Sequence, residues 1–124
     1  MGFRSNGSGG DVKAPTFTLR SLKEIKVGLP GDYWKKYVGI ENKAILKRLK
    51  EGVRVKVLAQ SIGHQKNPCE ELWLIIRHRD RKARKYIGEV VIIPKRSRFH
   101  GLLHGMLIHF EEKHILDVWL DDLT

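Results

Sequence analysis

Cysteine occurs once in this 124-residue chain, at Cys69, so no intramolecular disulfide framework holds the fold, and the usage fits a reducing compartment. Long apolar runs are missing as well. No stretch approaches the roughly twenty consecutive apolar residues of a membrane span, and the N-terminus lacks the apolar centre of a signal peptide. The expectation is a cytoplasmic protein with no membrane partner. No segment spells out a catalytic or cofactor signature, so no cofactor is assigned. Acidic residues are in short supply: 14 Asp and Glu stand against 24 Lys and Arg, a formal charge of +10.

The positive excess is unevenly placed. Residues 77–98 carry Arg77, Arg79, Arg81, Lys82, Arg84, Lys85, Lys95, Arg96 and Arg98 against Asp80 and Glu89, a net of +7. Residues 99–124 carry Lys113 against Glu111, Glu112, Asp117, Asp121 and Asp122, a net of −4. A basic face of this kind favours polyanionic partners, nucleic acid or an acidic protein surface. The acidic C-terminal end could equally meet the basic face of a second copy, which leaves monomer and homodimer both open. The nine cations of 77–98 are the candidate binding residues.

Residues 1–14, with Asn6-Gly7-Ser8-Gly9-Gly10, have the composition of a flexible tail. Residues 15–124 form one domain, the size at which a single core suffices. Thr16 to Leu19 alternates like a brief strand. Ser21 and Glu24 have capping-box spacing, which predicts a short helix from Leu22 to Val27. Asp32 caps a second helical stripe, Tyr33 to Val38. Glu41 to Glu51 predicts the clearest helix, with Ala44, Ile45, Leu46 and Leu49 inward and Gly52 as its left-handed end.

Val53-Arg54-Val55-Lys56-Val57 alternates strictly, as a half-buried strand does. Leu72 to Ile76 does not alternate and predicts a strand covered on both faces, with Trp73 buried among its neighbours. Trp34 and Trp119 also sit in apolar runs and read as core. Tyr86 to Ile93, Met106 to Phe110 and Ile115 to Leu120 supply three more strands, with Pro94 ending the first. The expected fold is α+β: N-terminal helices packed on a small, strongly bent antiparallel sheet of about five strands, with an SH3-like barrel as its closed form.

Four ordered segments carry a resemblance. They are Gly52-x-x-Val55-Lys56-Val57, Glu71-x-Trp73-Leu74, Tyr86-x-Gly88-x-Val90 and Gly105-x-x-Ile108-x-Phe110-x-x-x-His114-Ile115-x-Asp117. Together they resemble a family of small bacterial domains of unknown function, over roughly the C-terminal two-thirds of the chain. The resemblance implies a fold and a set of core residues, and no catalytic residues.

Six histidines invite acid–base or metal chemistry. His100 and His104 have helical i, i+4 spacing, but Gly101 and Gly105 disfavour a helix there. His109 and His114 are one residue too far apart for the zinc-protease pattern. No metal ligands are assigned. A small basic ribonuclease using histidine as general acid and base is the alternative to a binding module. No motif pairs the histidines, so no residue is assigned as catalytic. Cys69, beside Glu70 and Glu71, has surroundings that do not favour a thiolate.

Overall fold

The computed structural model describes residues 16–28, 42–63 and 68–124. The tail 1–14 and the Tyr33–Val38 stripe, with Trp34, lie outside the described residues. The valine alternation becomes the central strand. Val53, Val55 and Val57 are fully buried, while Arg54 and Lys56 lie on the opposite face. Strand β2 (Arg54–Ser61) pairs antiparallel with β3 (Cys69–Asp80), β3 with β4 (Lys85–Val90), and β4 with β5 (Leu107–Glu111). Two short strands share the outer edge of β2. Strand β1 (Phe17–Arg20) covers Leu58–Ser61, and β6 (Asp117–Val118) covers Val55–Lys56.

This corrects the expected α+β layering. The three α-helices among the described residues, α1 (Leu22–Gly28), α2 (Lys43–Lys47) and α3 (Ser97–His100), have only seven, five and four residues. The first described element is a strand, and α2 and α3 fall between or after strands. Such short helices cannot form a layer, so the sheet curls over its own apolar face. The result is a five-strand antiparallel half-barrel rather than N-terminal helices on a sheet or an SH3-like barrel.

Its core is filled by side chains from the strands, among them Leu74, Ile76, Tyr86 and Phe110, with Leu49, Leu102 and Ile115 closing the ends. Tyr86 and Phe110 stack with centroids 5.0 Å apart. Gly88 lies opposite Ile108, two residues along the strand from Tyr86, and a Cβ there would stand 2.8 Å from the Phe110 ring. The missing side chain is what admits the phenylalanine.

Helix α1 covers the other face. Leu22 and Ile25 pack on Leu58 and Leu116 in a small second core. The capping box forms as expected: the Glu24 carboxylate accepts from the Ser21 backbone N–H at 2.9 Å, and the Ser21 hydroxyl accepts from the Glu24 N–H at 3.2 Å.

Other expectations need correction. Helix α2 is capped by Asn42 and stops at Lys47. Ala44 is exposed, and Gly52 (φ +95°) serves the turn into β2 instead of the helix end. Strand β3 alternates after all: Leu72, Leu74 and Ile76 are buried, and Trp73 is half-buried on the outer face. Trp73 meets the edge of Trp119 at 5.2 Å, and Trp119 is 40% exposed. Neither is a core anchor, because β2 and β3 place their even and odd rows on opposite faces, and the outer face around Trp73 is only partly covered.

Candidate anion-binding cleft

The cationic stretch is not a loop throughout. Strand β3 runs on through Arg77, His78 and Arg79 to Asp80, and only Arg81–Arg84 form the turn. A register shift between Ile76 and His78 inserts one residue into β3. The bulge reverses the facing of the strand residues beyond it. Arg77 points outward and is bound to Glu89 at 3.0 Å. Arg79 points inward opposite Tyr86, its side chain only 12% exposed.

Inside, Arg79 ties the hairpin to the helical side of the molecule. Its Nη1 donates to the Leu49 carbonyl at 2.5 Å, and its Nη2 lies 4.0 Å from the Glu112 carboxylate. The guanidinium also lies 5.4 Å from the Tyr86 ring centroid. Its buried Nε has no hydrogen-bond partner among the described residues. The Tyr86 hydroxyl donates to Glu112 at 3.4 Å. Burial pushes the Tyr86 phenol up, the Arg79 charge opposes it, and the Glu112 charge adds to the rise.

Around this group opens a cleft of about 550 Å³, walled by Lys43 and Lys47 of α2, by Arg79, Arg81 and Arg84, and by Glu112. Five cations and one carboxylate thus line the same cleft, and of the five Arg79 is the one placed within 4.0 Å of Glu112. Lys43, Lys47 and Glu112 are site residues that the sequence reading missed. The two lysines read as an ordinary solvated helix face, and no local signal marks a partner thirty or more positions away.

The remaining candidates lie elsewhere. Lys82 and Lys85 are exposed on the same hairpin without lining the cleft. Lys95, Arg96 and Arg98 follow the opposite end of β4, a strand of six residues, or about 20 Å at the usual rise. Strand β4 ends at Val90, short of the expected Ile93, although the Val91 N–H still reaches the Trp73 carbonyl. Lys95 lines a second, larger cleft of about 770 Å³ together with Glu70, Glu71 and Ile93. Its carboxylates make it the poorer anion site. Arg98 lies over the Phe99 ring at 4.6 Å.

Glu70 organises that second end. Its carboxylate accepts from the Lys95 N–H at 2.7 Å, the Arg96 N–H at 2.8 Å and the His100 Nε2 at 2.8 Å. Burial opposes its ionisation, but these bonds win and hold it below the usual carboxylate range. The other ring nitrogen of His100 accepts from the Leu102 N–H at 3.0 Å. His100 is therefore fully buried with both nitrogens taken, out of reach of any substrate, while His104 is exposed. His109 is exposed on β5, and His114 accepts from the Glu111 N–H at 3.0 Å. Among the described residues no three His, Cys, Asp or Glu side chains are grouped to hold a metal ion. Burial pushes the Cys69 thiol up, against the pull of Arg20 and Arg96.

Comparison with known protein families, characterised proteins and solved structures gives no match. The segments behind the resemblance include the inward rows of β4 (Tyr86, Gly88, Val90) and β5 (Ile108, Phe110). Their spacing is what a two-residue strand period imposes on core side chains, so they carry architecture rather than chemistry. No helix among the described residues is long and apolar enough to cross a membrane.

Proposed function

We propose that this protein is a non-enzymatic binding module that takes a polyanion, a phosphodiester chain above all, into the cleft between α2 and the β3–β4 turn. The observation that carries the reading is that Lys43, Lys47, Arg79, Arg81 and Arg84 line one cleft with a single carboxylate, Glu112, among its described lining residues. Cations that wall one open cleft act on the same stretch of ligand. Cations fanned over separate faces act singly and are screened within about 8 Å at physiological salt. Three of the five are arginines, whose planar forks match phosphate oxygens in pairs.

An acidic protein surface would meet the same charges, but a flat partner uses a cleft poorly. The test is a titration of labelled RNA and DNA over a range of salt. Three or four contacted phosphates give a slope of log affinity against log salt of about −3, at roughly 0.9 per contact for duplex DNA and 0.7 for single strands. Changing Lys43, Lys47 and Arg81 together to Ala flattens that slope. Absence of binding to either nucleic acid at low salt refutes the proposal and leaves an acidic protein as the partner to seek.

A further inference from the structure

Among the described residues, Arg84 is the one non-glycine with positive φ, at +55°. The geometry of the turn explains why that position must be left-handed. The Asp80 carboxylate accepts from the Ala83 N–H at 3.0 Å, which closes the chain over Arg81 and Lys82. Lys85 must then return to register opposite Asp80 on one side and Glu111 on the other. A left-handed residue after such a turn makes that return, and glycine or asparagine fills the position at least cost. The Arg84 carbonyl also accepts from the Glu112 N–H at 3.1 Å, which fixes its orientation.

The sequence places arginine there instead. Its side chain is exposed and makes no hydrogen bond or ion pair among the described residues that would offset the strain, yet it lines the cationic cleft. Strained backbone at a residue that faces a cleft points from conformation to function. We infer that Arg84 is held in the left-handed conformation for the sake of its guanidinium, which grips a ligand phosphate at the mouth of the cleft. This rests on the anion-binding reading above and names the residue that trades fold stability for it. Arg84 lines the same cleft as Arg79 of β3 and Arg81 at the start of the turn.

The experiment pairs stability with binding. Arg84→Asn and Arg84→Gly are compared with Lys23→Ala, a one-charge loss on α1 outside the cleft. Urea midpoints and affinities for a short labelled RNA and for inorganic polyphosphate are measured in full-length protein. Arg84→Asn raises the midpoint, because asparagine tolerates the left-handed region without the unfolded-state entropy of glycine. Both Arg84 variants bind each polyanion several-fold more weakly than Lys23→Ala does, and the salt slope shrinks by about one. A lowered midpoint in Arg84→Asn overturns the inference, since Arg84 would then be supporting the fold. Binding equal to that of Lys23→Ala overturns it too, and leaves the cleft reading standing. Loss on RNA alone assigns the contact to base or sugar and refutes the phosphate grip. Native protein that binds neither probe refutes the cleft reading and this one with it.

Discussion

Replacing His100 tests whether its imidazole is structural. The ring is fully buried, and each nitrogen has one partner: Glu70 on Nε2 and the Leu102 N–H on Nδ1. In His100→Leu a side chain of similar volume fills the space, so the cavity contribution stays small. What is lost is polar. The Leu102 N–H becomes a buried donor without an acceptor, which costs about 1–3 kcal/mol, and a hydrogen bond to a charged carboxylate contributes about 1.5–3 kcal/mol. Glu70 keeps its two backbone donors, so the carboxylate does not become fully unpaired. The expected loss is about 3–5 kcal/mol, a large share of the roughly 5–15 kcal/mol that stabilises a domain. Urea unfolding read by circular dichroism measures it. His100→Asn should recover part of the loss, because an amide oxygen can accept from the Leu102 N–H while the Glu70 bond is gone. In a double-mutant cycle, Glu70→Gln should couple strongly to His100→Leu. A His100→Leu loss below about 1 kcal/mol, well under one buried hydrogen-bond pair, would refute the reasoning. It would also reopen His100 to a chemical role.

Two further expectations rest on the same physics. The Glu70 carboxyl titrates below its ordinary value of 4.5 when folded. The stability it contributes is therefore present above the ordinary carboxylate range and is lost as pH falls through the lower folded value. Urea midpoints of native protein and Glu70→Gln should converge on acidification, and a gap independent of pH would contradict the assignment. Gly88→Ala places a methyl group 2.8 Å from the Phe110 ring and 3.1 Å from Leu74 Cβ. Overpacking of that kind costs about 1–3 kcal/mol, and a melting temperature equal to the native one would show that the Tyr86–Phe110 stack is free to move.

Local chemistry wrote much of the architecture into the chain. Val53 to Val57 alternates because a strand with one enclosed face needs that period, and the Ser21–Glu24 cap forms from side chains three positions apart. The place of the β3–β4 hairpin was legible too, whereas Pro94 did not set the strand end, since β4 already stops at Val90. Which faces of the sheet are covered was less legible, since a run such as Leu72–Ile76 reads equally as covered on one face or two.

The site was decided by tertiary contact. A single inserted residue near Arg77 determines that Arg79 enters the interior while Arg77 pairs outside with Glu89. Nothing in the sequence of β3 announces that insertion, because a bulge is a property of two strands in register. Lys43 and Lys47 meet the hairpin through long-range contacts, the core packing of Leu46 and Leu49 and the Arg79 bond to the Leu49 carbonyl thirty positions away. The same holds for His100, whose burial depends on Glu70 across an equal span. Charge was countable from the sequence alone. Which charges share a cleft, and which histidine is sealed from solvent, depend on strand pairings that no local segment encodes.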